Sequence, residues 1–338
     1  SNPISQMIAQ IEYKREGVPN LEIDNASRAE LEKFFSNIAG NKLNVVAVVR
    51  CWNKNKDQLS ALFDRLKQLQ TSIKELSGII VSINDDADNN HQTSKNVEDL
   101  SHQENLPVVA IKVHGYTWTA GLNGPVALIN KFCETQNIPK QNQRILSLSF
   151  DAIFDQASAE KIAGLLSQDN PFITARQERE GLKDRIPETV KSIKHLIALG
   201  DNVEGGAEAF LRDQDLIASL GRNTGMVWSL SDIDRIGGFN RDRNKVGGME
   251  DQELGVRLLL EALQTKQFGR AKKMLKAMNS PVEYTDQAWL NMPDDQRQKK
   301  LDNEKVAITQ IVSELSQVNR SERPNKWELE EEKRDFKM

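Results

Sequence analysis

With 338 residues, the chain can hold one large α/β domain with decorations or two small domains, and can bury a substantial apolar core. It is 38% hydrophobic with no segment near the ~20 apolar residues that span a bilayer, and its net charge of −4 gives no general pull toward nucleic acid or anionic membranes. Cys51 and Cys133 are too few for a disulfide framework and lack metal-site spacing, and no charged-then-apolar leader opens the chain, so a soluble, cytoplasmic protein is expected, with peripheral membrane association or export without a signal peptide left open.

Residues 1–40 read as an N-terminal helical extension: Ser27 and Glu30 have capping-box spacing, and Leu31, Phe34, Phe35 and Ile38 repeat helically up to Gly40. The nearly continuous apolar run at 43–49 predicts a strand buried on both faces. Leu59, Leu62, Phe63, Leu66 and Leu69 predict a helix, and 78–83 a second strand that ends in Asn84, Asp85, Asp86 and Asp88. Strands at 107–113 and 145–149, with a helix at about 122–135 between them, continue the alternation. A helix at 159–166 and a strand at 171–174 follow. Right-handed crossovers of this kind make a doubly wound, mostly parallel sheet.

The stretch 177–222 is charged, helical and broken by glycines, as an insertion or lid would be. A strand at 224–230, a short helix capped by Ser231 and ending at Ile236, and a helix at 250–263 that buries Leu254, Leu258 and Leu259 come next. Lys272, Lys273 and Lys276 read as a solvated helix face. Beyond Pro281 the chain is polar and helical, with an exposed tail at 327–338.

Open parallel sheets bind ligands outside the carboxyl ends of their strands. Acidic residues stand at three such places: Asp85, Asp86 and Asp88 after the second strand, Asp151 after the fourth, and Glu250 with Asp251 opening the late helix. They can respectively accept hydrogen bonds from a ribose or base, hold a divalent cation, and take a proton from an acceptor hydroxyl. Each also has a structural reading: Asp85 to Asp88 as turn formers, Asp151 as a cap, and Glu250 with Asp251 as residues favoured by the helix dipole. The turn 50–56 contains no glycine and no glycine-lysine phosphate loop occurs, which argues against a nicotinamide- or ATP-dependent enzyme.

The ordered set resembles the inverting glycosyltransferases of the GT-A fold, above all the large family-two group, over roughly residues 43–262. The resemblance rests on the first strand at 45–50, the acidic second-strand end at 79–88, and the segment Gly121, Leu122, Asn123, Gly124. It rests further on Asn223, Thr224, Gly225, then Gly237, Gly238, Phe239, and on the helix with Glu250, Asp251, Leu254 and Arg257. It implies a GT-A-like catalytic domain at 41–270, with a nucleotide-binding half at about 41–155 and an acceptor half at about 156–270 carrying the insertion 177–222. A C-terminal helical extension at 271–338 completes the chain.

By resemblance, Asp251 is the base toward the acceptor, with Glu250 beside it, and Asp85 or Asp86 holds the nucleoside. Asn123, Arg50 and Arg176 contact the nucleotide sugar, and Asp151 binds manganese or magnesium. The family's metal motif has an aspartate at each end, whereas here it reads Ser149, Phe150, Asp151. That departure leaves open a cation completed by Asp155 or substrate phosphates, weaker metal binding, or none. It also leaves the alternative of a non-catalytic binding protein on the same scaffold. Trp118 and Trp228 are candidates to stack on sugar or base, with core packing favoured for Trp228. The histidines His91, His102, His114 and His195 form no ligand pair at helical spacing, and His114 follows a strand.

Overall fold

In the computed structural model the chain is an α/β protein whose central sheet has seven strands, mostly parallel and flanked by helices. Described are residues 7, 14–15, 18–19, 21–38, 42–114, 118–168, 170, 172–177, 226–239 and 249–317. The chain divides into two compact units, one of Ser1–Phe150, Ser229–Arg241 and Lys326–Met338, the other of Asp151–Trp228 and Asp242–Asn325.

In the first unit, a short hairpin of β1 (Lys14–Arg15) and β2 (Val18–Pro19) precedes β3 (Leu21–Glu22) and α1 (Asn25–Ile38). Then follow β4 (Asn44–Cys51), α2 (Lys56–Ser72), β5 (Leu76–Asn84), α3 (Gln92–Ser101), β6 (Val108–Val113), α4 (Ala120–Thr135) and β7 (Gln143–Leu148). Strands β6, β5, β4 and β7 lie side by side in that order, all parallel, with β3 antiparallel on the outer side of β6. From β4 the connections run outward through β5 to β6, then return across β4 to β7. The direction therefore reverses between β4 and β7, as in a doubly wound sheet, and that reversal is a switch point. Right-handed crossovers put α2 and α3 on one face and α4 on the other.

The middle strands read as nearly continuous apolar runs because both of their faces are covered: every residue from Val45 to Val49 and from Ile79 to Ile83 is buried, Ser82 included. Each such valine, isoleucine or leucine contributes about 1.5–3 kcal/mol by leaving water. Helix α1 packs on β5 and β6, and Phe34 lies so close to Gly78 that a β-carbon there would fall 2.2 Å from the ring. Gly78→Ala is therefore expected to destabilise the protein by about 1–3 kcal/mol through overpacking. Urea denaturation measures this, and an alanine variant as stable as the parent would refute the close packing of α1.

Two helix starts differ from the expected ones. The cap of α1 is Asp24, whose Oδ1 accepts the Ser27 N–H at 2.8 Å, while the Ser27 hydroxyl accepts the Ala110 N–H at 3.0 Å and so serves β6 beyond its short pairing with β3. Ser231 lies inside α6 (Leu230–Ile236), whose N-cap position is Ser229. That helix ends on Gly237 and Gly238 at φ 86° and 79°, a left-handed pair that lets the Gly238 N–H reach the Ile233 carbonyl at 2.8 Å.

The second unit holds β8 (Ala152–Ile153), α5 (Gln156–Leu166), β9 (Phe172–Ile173), β10 (Ala175–Gln177) and β11 (Val227–Ser229), whose last residue belongs to the first unit. It continues with α7 (Glu250–Gln264), α8 (Phe268–Asn279), β12 (Val282–Asp286), α9 (Gln287–Leu290) and α10 (Asp294–Gln317). Strand β12 pairs parallel with β10 and antiparallel with β8, where the sequence had suggested only helix. Beneath α8, Ala271, Met274, Leu275 and Met278 are buried, whereas Lys273 and Lys276 are exposed. Among the described residues no helix is long and apolar enough to cross a membrane.

Candidate functional site

The loops at the carboxyl ends of β4 and β5 are clasped together, which explains how the turn after β4 works without glycine. Asp88 is buried and accepts the N–H groups of Asn53 (2.9 Å) and Thr93 and the Thr93 hydroxyl (2.6 Å). Asn53, held at φ 52°, accepts in return from the Asn89 N–H at 2.7 Å and from Gln92 Nε2. Asp88 is thus a structural anchor, and the clasp fixes Trp52 and Lys54 at the sheet edge.

Arg50, at the end of β4, donates to the Trp118 carbonyl at 2.8 Å and stacks 4.1 Å from the centre of the same indole. Trp52 meets Trp118 edge-on with centroids 6.2 Å apart, and these rings are 39% and 38% exposed. Lys54 Nζ sits 4.4 Å from the Phe150 ring centre, and Arg65 donates to the Phe150 carbonyl at 2.6 Å. The edge therefore combines an exposed aromatic pair with two cations next to the switch point, a common place for ligands in open sheets.

Asp85 lies at the end of β5 with a largely buried side chain, its Oδ1 3.0 Å from His91 Nδ1 and its Oδ2 3.5 Å from His114 Nδ1. The other nitrogen of His114 is 3.0 Å from Glu22 Oε2, and Lys112 Nζ lies 3.8 Å from Glu22. Burial alone would raise the Glu22 carboxyl, but the His114 hydrogen bond and the charges of Lys112, His114 and His91 outweigh it and hold the group below its ordinary range. A carboxyl lowered by folding stabilises the native state above its unfolded pKa and loses that contribution as pH falls through the folded value. The parent protein should therefore lose stability more steeply than Glu22→Gln as pH falls below about 4.3. Urea midpoints across that acid limb test this, and superimposable profiles would count against the Glu22–His114 pairing. Asp86, next along the turn, is exposed.

Asn123 is fully buried, and its amide is spent on one backbone: Nδ2 donates to the Phe239 carbonyl at 2.9 Å and Oδ1 accepts the Phe239 N–H at 3.0 Å. It pins the Gly237, Gly238, Phe239 turn to the start of α4. A ligand-contacting role, which the resemblance implies, is not where its polar atoms point.

In the second unit, the Asp151 carbonyl accepts the Gln287 N–H at 3.2 Å. Asp155 caps α5 by accepting the Ser158 N–H at 2.7 Å, and the hydrogen bonds of Ser158 lower its carboxyl below the usual range. Ser149, in the first unit, is exposed. Among the described residues no group of three or more histidine, cysteine, aspartate or glutamate side chains is arranged to hold a metal ion.

Glu250 and Asp251 open α7 directly after Met249, which is held at φ 66°, a left-handed conformation that costs a residue with a β-carbon more than glycine. Glu250 is buried, while Asp251 is partly exposed and its Oδ1 accepts the Gln252 N–H at 2.9 Å. Glu253 and Arg257 form a buried ion pair at 2.7 Å on the same helix. Trp228 is fully buried against Phe172, a core role. The backbone of Arg176 lies in β10. Residues 178–225, with His195, Asn223, Thr224 and Gly225, lie outside the described residues, as do Asn240, Gly248 and the tail at 327–338. Both cysteines are buried, and burial pushes the Cys51 thiol up to about 12 and the Cys133 thiol up to about 11, so neither is a ready nucleophile.

Sequence reasoning missed Trp52, His91 and Glu22. The only local signal was a histidine in a turn rich in aspartate and asparagine; the pairing itself joins segments far apart in the chain. No protein-family model matches the chain, and no curated protein matches it in sequence.

Proposed function

We propose that the chain is a GT-A-type glycosyltransferase that moves a sugar from a nucleotide-diphosphate sugar to an acceptor hydroxyl. The observation that carries this reading is the carboxyl edge of β4, β5 and β6, where Arg50, Trp52, Trp118 and the Asp85 turn gather beside a switch point. A nucleotide calls for that mixture: an aromatic face for the base, polar groups for base and ribose, and a cation near phosphate.

On this reading, the acceptor oxygen attacks the anomeric carbon as the bond from that carbon to the diphosphate oxygen breaks. Asp251 takes the hydroxyl proton, the sugar ends on the acceptor, and the nucleoside diphosphate leaves with the electron pair of the broken bond. A divalent cation, when bound, supplies charge neutralisation on the diphosphate, with Asp151 as the protein ligand. Glu250 shapes the acceptor side next to Asp251.

The exposed Ser149, in place of the first acidic residue of the metal motif, favours one other reading, a non-catalytic binding protein on this scaffold. A panel of nucleotide sugars with manganese separates the two. Release of a nucleoside diphosphate from one donor, dependent on an acceptor, is the expected result. Thermal stabilisation by a nucleotide with no turnover of any donor would replace the enzyme by the binding protein. No stabilisation and no turnover would end both.

A further inference from the structure

Asp85 faces two imidazoles, its Oδ1 3.0 Å from His91 Nδ1 and its Oδ2 3.5 Å from His114 Nδ1. A carboxylate only accepts, which makes Nδ1 of His91 the donor in their 3.0 Å contact and leaves Nε2 of the neutral ring as an acceptor. That nitrogen has no partner among the described residues, and the side chain is 57% exposed. Asn90 and His91 are both left-handed, at φ 53°, an uncommon conformation that is concentrated at functional sites. Asn53 grips Asn89 and Gln92 on either side of this kink, and Trp52 stands immediately before Asn53. The exposed indole of Trp52 and the oriented imidazole thus lie on adjoining, clasped loops, and Trp52 meets Trp118 edge-on. Beside them, Asn84 Oδ1 at the end of β5 is buried with no hydrogen-bond partner among the described residues.

We propose that His91, oriented by Asp85, is the residue that selects the base of the nucleotide, its Nε2 accepting from the ring N–H of a uracil or guanine held at the Trp52 and Trp118 pair. The assignment rests on the nucleotide-sugar reading above. Cytosine and adenine present an unprotonated ring nitrogen at the equivalent edge, so two lone pairs would face each other.

Isothermal titration of the full chain with UDP, GDP, CDP and ADP at one pH tests the assignment. UDP or GDP is expected to bind about tenfold or more tightly than CDP and ADP. His91→Gln carries both a donor and an acceptor, so it should bind with little preference. A preference for CDP or ADP in the parent, or an unchanged preference in His91→Gln, would overturn the role of His91. Binding of none of the four would instead remove the nucleotide reading and this assignment with it.

Discussion

Replacing Asp251 by asparagine is expected to lower sugar transfer by about 10²–10⁴-fold, the usual contribution of a general base, with nucleotide binding unchanged. The amide keeps the shape of the carboxylate and can still accept the Gln252 N–H that Oδ1 accepts at 2.9 Å, but it cannot take up a proton. A purely capping role predicts something different: loss of the charge at the start of α7 would cost about 0.3–1 kcal/mol of stability and leave the rate alone. Single-turnover transfer and thermal unfolding of the same variant separate the two. Should Asp251→Asn remain within tenfold of the parent while Glu250→Gln abolishes transfer, the base is the neighbouring, more deeply buried Glu250.

The second large effect concerns stability. Arg257→Met is expected to cost about 3–5 kcal/mol, because it strands the carboxylate of Glu253 in the interior without its partner. Glu253 and Arg257 are 1% and 6% exposed, and the arginine Nε lies 2.7 Å from one carboxylate oxygen and 2.9 Å from the other. The spacing of four, with the acid toward the helix N-terminus, is the favourable orientation for such a pair. Replacing both residues by apolar ones of similar volume should recover most of the loss, since a buried pair gains little over a well-packed apolar contact. Urea denaturation of the single and double variants decides the matter. A loss below about 1 kcal/mol for Arg257→Met would show that the carboxylate is not stranded.

The strands and most helices of the first unit were legible because their signals are local. Val45 to Val49 and Ile79 to Ile83 can only be buried on both faces, and Leu59, Leu62, Phe63, Leu66 and Leu69 recur once per turn on the buried side of α2. Helix α3 escaped notice because its buried residues are Thr93, Ser94, Val97 and Ser101, so hydrophobic periodicity has almost nothing to register. Strand β12 escaped because of its five residues only Val282 is buried, too few for an alternating pattern to emerge. At Ser27 the capping motif was read correctly as a helix start but credited to the wrong residue, since Asp24 occupies the position from which a side chain reaches the third amide.

By itself, the sequence determined that a parallel sheet would present its strand ends at one edge, and that Arg50, Asp85 and Asp86 would stand there. Apolar patterning and crossover handedness are properties of short, contiguous segments and need no partner to be read. What those polar groups do was decided only by the tertiary structure. Asp85 turns its oxygens toward His91 and His114, Asp88 ties two loops together, Asn123 holds Phe239 from 116 positions away, and Glu22 reaches His114 across 92. A buried donor or acceptor must find a partner wherever the fold supplies one, and at such separations chain order carries no record of which it will be.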